Sequence, residues 1–154
     1  MNAIPYPAHD TENLDSVWVP ERAPDSAPRI CEDHVLVRLA LDTDVDLLPD
    51  LVAGFLDDIG QQMRRIDAAV SRSDIVALEL QAHALAGCAS TFGAEPLHRQ
   101  ACRVIEMCRT GSTEAALTSA TPLAGLVARV MTDMPDTVAR VQATVELDPA
   151  PPSA

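Results

Sequence analysis

The chain has 154 residues, which is enough for one domain with a sizeable hydrophobic core. Hydrophobic residues make up 47% of it and aromatic residues only 3%, so we expect an aliphatic core of packed helices. A formal net charge of −12 argues against nucleic acid as a partner, because neutralising phosphates requires a basic patch. No apolar run reaches the length of about 18 residues that marks a membrane span, and no signal peptide is visible at the N-terminus. We therefore expect no membrane insertion by this chain and a cytoplasmic location, alone or as part of a larger protein.

Both ends of the chain are predicted to be disordered. Residues 1–30 contain scattered acids and five prolines and show no helical period, as is typical of a tail or linker. Residues 146–154 form a short proline-rich exit. The predicted folded domain therefore spans residues 31–145.

Apolar residues recur with a helical period throughout this domain. We predict a short first helix over about residues 32–41, a second from the acidic stretch at 42–46 to about 70, and a third over about 74–91. A fourth helix is predicted over about 95–109, and a last one after Pro122. Ser73 is the expected N-cap of the third helix and Gly93 its left-handed stop. Pro135 is expected to kink or interrupt the last helix.

Long amphipathic helices joined by short connections favour antiparallel neighbours. The sequence therefore predicts an all-α fold, an antiparallel up-down four-helix bundle with a short additional N-terminal helix.

His83 is the residue of the third helix with the clearest functional signature. On a helical projection it lies opposite the apolar stripe that contains Leu78 and Leu85. Its neighbours on the same face are Glu79 one turn before, Ala86 and Gly87 one turn after, and Ser90 two turns after. Glycine inside a helix costs about 1 kcal/mol relative to alanine, so Gly87 requires a reason, such as close approach of a partner's backbone to the imidazole. We therefore predict a protein-docking face built from Glu79, Ala86, Gly87 and Ser90.

The segment His83-x-Leu85-x-Gly87 resembles the histidine-containing phosphotransfer (HPt) domains of bacterial two-component phosphorelays. The resemblance covers roughly residues 33–145. It also includes residues before and after the motif: the stretch 47–56, Asp74, Leu78, Gly93, Ala94, Leu97, Ile105, Glu106, Arg109 and Gly111.

The resemblance implies a function for His83. It would accept a phosphoryl group from the aspartate of a response-regulator receiver domain and pass it to another receiver. In this family the receiver supplies Mg²⁺ and most of the catalytic groups, so the chain would be a carrier rather than an enzyme, with no cofactor of its own. We expect a monomeric domain, and the proline-rich lead-in favours a C-terminal segment of a hybrid sensor histidine kinase over a free-standing protein.

One departure from the family concerns charge. The family usually has lysine three residues after the histidine, where this chain has Ala86, and the chain contains no lysine at all. In an antiparallel pair of helices, residues around 61–65 lie at the level of His83. Gln61, Gln62, Arg64 and Arg65 are therefore candidates to reach a phosphoryl group, although the same residues also fit a solvated helix face.

Ala86 also leaves a second function open. The chain could be a binding module that keeps the bundle, carries no phosphate and regulates a receiver or another partner by occupancy.

The sequence gives less support to a metal site. The four cysteines, Cys31, Cys88, Cys102 and Cys108, contain no Cys-x-x-Cys pair. His98 and Cys102 share a helix face, but no further pair completes a zinc site, and Glu95-x-x-His98 lacks the second copy that a di-iron bundle needs. We therefore predict no metal site.

Overall fold

The computed structural model describes residues 29–147, which form six α-helices and one 3₁₀ turn and contain no strand within that range. The elements in chain order are α1 Asp33–Asp42, the 3₁₀ turn Val45–Leu47, α2 Leu48–Ser71, α3 Ile75–Thr91, α4 Glu95–Arg109, α5 Thr113–Ala120 and α6 Leu123–Leu147. The predicted all-α class is confirmed. The tails predicted for residues 1–30 and 146–154 lie outside the described residues, apart from residues 29–30 and 146–147.

Four long helices form the bundle. Helix α3 packs between α2 and α4, and α6 contacts both α2 and α4, which closes the ring. The connections from α2 to α3 and from α3 to α4 are only a few residues long, as antiparallel neighbours require. The short helix α1 packs against α6, and α5 packs against α4.

The core is almost entirely aliphatic, as the composition predicts. Its largest fully buried side chains are Ile30, Leu36, Leu48, Ile59, Ile66, Leu78, Leu85, Leu97, Val104, Leu123, Val130 and Met134. Each such burial stabilises the fold by about 1.5–3 kcal/mol. Helix α3 adds small buried residues, Ala82, Ala86 and Ala89, so its neighbours can approach it closely.

The ends of α3 are held by local bonds. The Asp74 carboxylate accepts a hydrogen bond from the Ala77 N–H at 3.0 Å, so Asp74 is the N-cap. The prediction that Ser73 caps this helix is wrong, because Ser73 has a left-handed φ of 52° and completes the turn before the cap. Gly93 ends the helix with a φ of 70°, as predicted. Its carbonyl accepts the Glu32 N–H at 2.9 Å, which joins the segment before α1 to the end of α3.

Four further details differ from the predicted elements. Ile30, assigned to the tail, is buried, and α6 extends past residue 145 to Leu147. Helix α5 was not predicted; the Ser112 hydroxyl caps it by accepting the Ala115 N–H at 3.2 Å. Pro135 does not interrupt α6, because the buried residues Met134 and Val138 continue the apolar stripe across it.

The segment before α1 is fixed to α6 by charge and burial. Asp33 accepts hydrogen bonds from Arg29 at 2.6 Å and from Arg140 at 3.1 Å, and the Asp33 bond raises the pKa of Arg140. Burial, with help from the nearby carboxylates of Asp133 and Asp33, raises the pKa of the Cys31 thiol to about 12. Cys31 is therefore a protonated core residue at neutral pH.

None of the helices over residues 29–147 has both the length and the apolar character needed to cross a bilayer.

Candidate functional site

His83 lies at the middle of α3 on its exposed side. The preceding and following core residues of this helix, Leu78, Ala82 and Leu85, point into the bundle and are fully buried. The imidazole is therefore carried on a rigid element and faces outward, as the helical projection predicts.

Arg109, the last residue of α4, connects His83 to Glu79. Its Nη2 lies 2.8 Å from His83 Nε2, and its Nε donates to Glu79 Oε1 at 2.7 Å. A guanidinium can only donate hydrogen bonds, so this contact is a hydrogen bond in the neutral tautomer in which Nε2 is unprotonated and Nδ1 carries the ring proton. The side chains of Arg109 and Glu79 are 60% and 31% exposed, so this group lies at the surface.

The four polar candidates on α2, Gln61, Gln62, Arg64 and Arg65, form no hydrogen bond or ion pair with the His83 imidazole within residues 29–147. Gln62 donates instead to Cys88 Sγ at 3.6 Å. Helix α2 therefore packs against the side of α3 that carries Cys88, and α4 approaches the side that carries His83.

The four predicted docking residues have different surroundings. Gly87 and Ser90 are exposed, and a Cβ added at Gly87 would meet nothing within 4 Å. Glu79 is half-buried beside Arg109. Ala86 is only 5% exposed, because α4 covers it, and its carbonyl bonds to His98 Nδ1 at 3.0 Å. Ala86 therefore adds no side-chain surface, contrary to its predicted place in the docking face.

Two apolar residues extend the exposed surface around His83. Val76 is 81% exposed and Leu80 is 65% exposed. With His83 and Gly87 they follow the spacing i, i+4, i+7, i+11, which places all four on one side of α3. We call Val76, Leu80, His83, Gly87 and Ser90 the His83 face. Val76 and Leu80 were not predicted as part of this surface, although the same helical projection places them on it.

The contact between Arg109 and His83 was also not predicted from the sequence. Arg109 lies 26 residues after His83 along the chain, and no local spacing connects the two. Its position at the C-terminus of α4 suits a cation, because the helix dipole is negative there.

The His98–Cys102 pair does not develop into a metal site in the described part of the chain. Cys102 Sγ lies 3.7 Å from His98 Nε2, but no group of three His, Cys, Asp or Glu side chains among residues 29–147 is placed to hold an ion. All four cysteines are free.

Comparisons with family models and with solved structures both find proteins that are similar to this chain. The family model described as Hpt domain matches residues 50–145. The crystal structure of histidine-containing phosphotransfer protein B (HptB) from Pseudomonas aeruginosa PAO1 is similar, with a TM-score of 0.67 and 25% sequence identity. That match covers 74% of this chain and 98% of the HptB chain. A comparison with curated protein sequences gives no match.

Proposed function

The chain belongs to the Hpt domain family, and on this premise we propose that it is a phosphorelay carrier whose phosphoryl-accepting residue is His83. His83 takes the phosphoryl group from the aspartyl phosphate of a receiver domain and returns it to the aspartate of another receiver. The chain holds the group between two transfers, so it acts as a carrier and the receivers supply most of the catalysis, including Mg²⁺.

The observation that carries this proposal is the exposed His83 imidazole, whose Nε2 lies 2.8 Å from Arg109 Nη2. Nucleophilic attack needs a nitrogen lone pair, and a hydrogen bond from Arg109 favours the neutral tautomer in which Nε2 has one. The ring lies on an exposed helix surface, where the aspartyl phosphate of a docked protein can reach it.

The transfer step balances without a further reactant. The Nε2 lone pair forms the N–P bond while the P–O bond to the receiver aspartate breaks, and the bonding electron pair leaves with the carboxylate. The Nδ1 proton stays on the ring. The reverse step regenerates the aspartyl phosphate, and catalysis consists mainly of positioning and charge stabilisation.

The His83 face supplies the docking surface. Val76 and Leu80 offer apolar contact two turns and one turn before the imidazole, and Gly87 and Ser90 leave room after it. Such a face fits a small, transient interface in which the receiver active site covers His83.

The proposal is tested by transfer from a panel of phosphorylated receiver domains to the chain and its His83→Gln variant. We expect acid-labile label on the unmodified chain and none on the variant. His34→Gln is the matched control, because His34 is an exposed helical histidine on α1, away from this face. It should be labelled as fast as the unmodified chain.

A different outcome would favour the second function. A receiver that binds the chain tightly, while neither His83 nor any other residue becomes labelled, would show a binding module that acts by occupancy. Equal labelling of the His83→Gln variant would place the phosphoryl group on another residue.

A further inference from the structure

The thiol of Cys102 and the imidazole of His98 form a pair on the surface of α4. The two residues are one helical turn apart, and Cys102 Sγ lies 3.7 Å from His98 Nε2. His98 Nδ1 lies 3.0 Å from the Ala86 carbonyl oxygen. A carbonyl oxygen can only accept a hydrogen bond, so the neutral ring that makes this bond has its proton on Nδ1 and a lone pair on Nε2. That lone pair can accept the proton of the Cys102 thiol.

This arrangement distinguishes Cys102 from the other cysteines. Cys31 and Cys108 are buried, and burial raises the pKa of both thiols, that of Cys31 to about 12. Cys88 is half-buried, and its Sγ accepts an amide N–H from α2. Within residues 29–147, which contain all four cysteines, only Cys102 combines an exposed thiol with a histidine base whose orientation is set by a third group. A nucleophile, a base and a group that orients the base are the parts of an activated nucleophile.

The pair lines a surface pocket of about 460 Å³ that contains charges of both signs. The guanidinium groups of Arg99 and Arg103 suit carboxylates, and the carboxylates of Glu95 and Glu106 suit an ammonium group. Arg99 and Glu95 pair with each other at 3.5 Å, but this pair is exposed and therefore weak enough to exchange for a ligand. The pocket thus fits a small peptide that carries carboxylates and an amine.

We propose that Cys102 is a site of thiol–disulfide exchange with small peptide disulfides that carry carboxylate groups. His98 Nε2 accepts the thiol proton, and the Cys102 sulfur attacks one sulfur of the disulfide. A new S–S bond forms to Cys102 while the S–S bond of the disulfide breaks, and the bonding electron pair leaves with the second sulfur as a thiolate. That thiolate takes the proton from His98, so the exchange needs no further reactant.

The adduct lies beside the His83 face. His98 contacts Ala86 of α3, and Arg109 contacts His83. Cys102 lies between these two residues of α4, one turn after His98 and two turns before Arg109, on the same side of the helix. Given the proposed carrier function, a peptide attached to Cys102 blocks the approach of a receiver to His83, and reduction of the mixed disulfide restores it.

The exchange is tested on the full chain with oxidised glutathione, the disulfide of a carboxylated tripeptide, and without any receiver. The chain has no lysine, so trypsin cuts only after arginine and leaves the four cysteines in four separate peptides. Mass spectrometry therefore measures the adduct on each cysteine by itself. We expect the adduct on Cys102 to form at least about tenfold faster than on Cys88, because Cys88 is less accessible.

The role of His98 is tested with His98→Gln. This variant should slow the adduct on Cys102 at least about tenfold, as for loss of a general base. His34→Gln, which removes an exposed histidine from α1, should match the unmodified chain. In urea the unmodified chain and His98→Gln should react at the same rate, since the pair exists only in the folded chain. Circular dichroism checks that the variant is folded.

The preference for carboxylates is tested with cystamine, a small disulfide that carries amines and no carboxylate. Each rate is divided by the rate of the unfolded chain in urea, which removes the intrinsic difference between the two disulfides. Oxidised glutathione should then exceed cystamine with the native chain. The double variant Arg99→Gln, Arg103→Gln should lose this preference. The double variant Arg64→Gln, Arg65→Gln removes the same charge from exposed positions of α2 and should keep it.

The effect on His83 is tested by transfer from a phosphorylated receiver to the chain before the adduct is formed, with the adduct, and after reduction by dithiothreitol. The adduct should slow the transfer at least about tenfold, as for loss of contacts at an interface centre, and reduction should restore the rate. Cys102→Ser treated with the same disulfide should accept label as fast as the untreated chain.

The outcomes separate this proposal from the carrier function. Equal adduct rates on Cys102 in the unmodified chain and in His98→Gln would overturn the activated thiol. An adduct on Cys102 that leaves the transfer rate unchanged would overturn the control of His83. If the untreated chain accepts no label, the carrier function fails and the control of transfer fails with it, whereas the exchange at Cys102 is decided by the mass measurement alone.

Discussion

At the scale of single residues, a side chain at position 87 would favour the stability of the helix but would reduce the access of a partner to His83. A helical glycine is less favourable than alanine by about 0.5–1 kcal/mol. An added Cβ would meet nothing within 4 Å inside the chain, so the absence of a side chain has no internal packing reason. The open space lies one turn beyond His83, where a docked receiver would approach the imidazole.

We therefore predict that Gly87→Ala raises the free energy of unfolding by about 0.5–1 kcal/mol while it weakens receiver binding. A methyl group inserted into a close contact costs about 1–3 kcal/mol, so the receiver affinity should fall about tenfold. Urea unfolding gives the first quantity and titration with an unphosphorylated receiver gives the second.

Gly125→Ala is the matched control for this substitution. Gly125 is also a helical glycine with open space around it, but it is on α6. It should show the same gain in stability and no change in receiver binding. If Gly87→Ala behaves in the same way as Gly125→Ala, Gly87 has no part in docking.

The residues around His83 could be predicted from the sequence only where a single helix determines them. The projection of α3 correctly placed His83, Gly87 and Ser90 outside. It failed for Ala86, which lies at the edge of the apolar stripe and is covered by α4. The projection also failed for Arg109. The helical period predicts how far along the bundle a residue lies, but it does not predict which neighbouring helix packs on which side of α3.

At the scale of elements, the turn after α3 determines how the N-terminal segment joins the bundle. Gly93 has a φ of 70°, and a Cβ there would lie 2.9 Å from Val35 Cβ and 3.2 Å from the Glu32 carbonyl oxygen. The same residue accepts the Glu32 N–H through its own carbonyl. A side chain at this position would therefore strain the turn and separate α1 from the end of α3.

We predict that Gly93→Ala lowers the free energy of unfolding by about 3 kcal/mol, as the sum of a left-handed conformation and a steric clash. Gly111→Ala is the control, because Gly111 has a similar φ of 83° and nothing within 4 Å of its added Cβ. That variant should lose only about 1–2 kcal/mol. Equal losses in urea unfolding would mean that the contact with Val35 contributes nothing.

Most of the helices could be predicted, because the helical period of the apolar residues and the positions of the capping residues indicate similar bounds. Helix α4 has the predicted bounds, α3 begins one residue later than predicted, and α2 ends one residue later. The start of α2 was predicted too early, because the acidic stretch is followed by the 3₁₀ turn Val45–Leu47, which Asp44 caps, and α2 begins only at Leu48. Helix α5 was missed because its eight residues, rich in alanine and threonine, carry too weak an apolar stripe. Ser73 was misassigned because serine and aspartate are both good caps, and the left-handed φ of Ser73 decides between them.

At the scale of the whole molecule, the His83 face combines apolar contact with a strongly acidic chain. A chain with a net charge of −12 repels other acidic proteins electrostatically at long range. Exposed Val76 and Leu80 are therefore the residues that can make binding favourable at short range, because apolar contact does not depend on charge. Receiver binding should thus be determined by these two side chains, with ionic strength acting mainly on the association rate.

We predict that the double variant Val76→Ser, Leu80→Ser keeps its stability within about 0.5 kcal/mol, because both side chains are mostly exposed. Its affinity for a receiver should fall at least about tenfold, as for loss of apolar contacts at an interface centre. Leu41→Ser is the control, because Leu41 is 53% exposed but on α1. Titration at low and high salt should show the same loss for the double variant, whereas a loss that disappears at high salt would show that charge, rather than apolar contact, determines docking on this face.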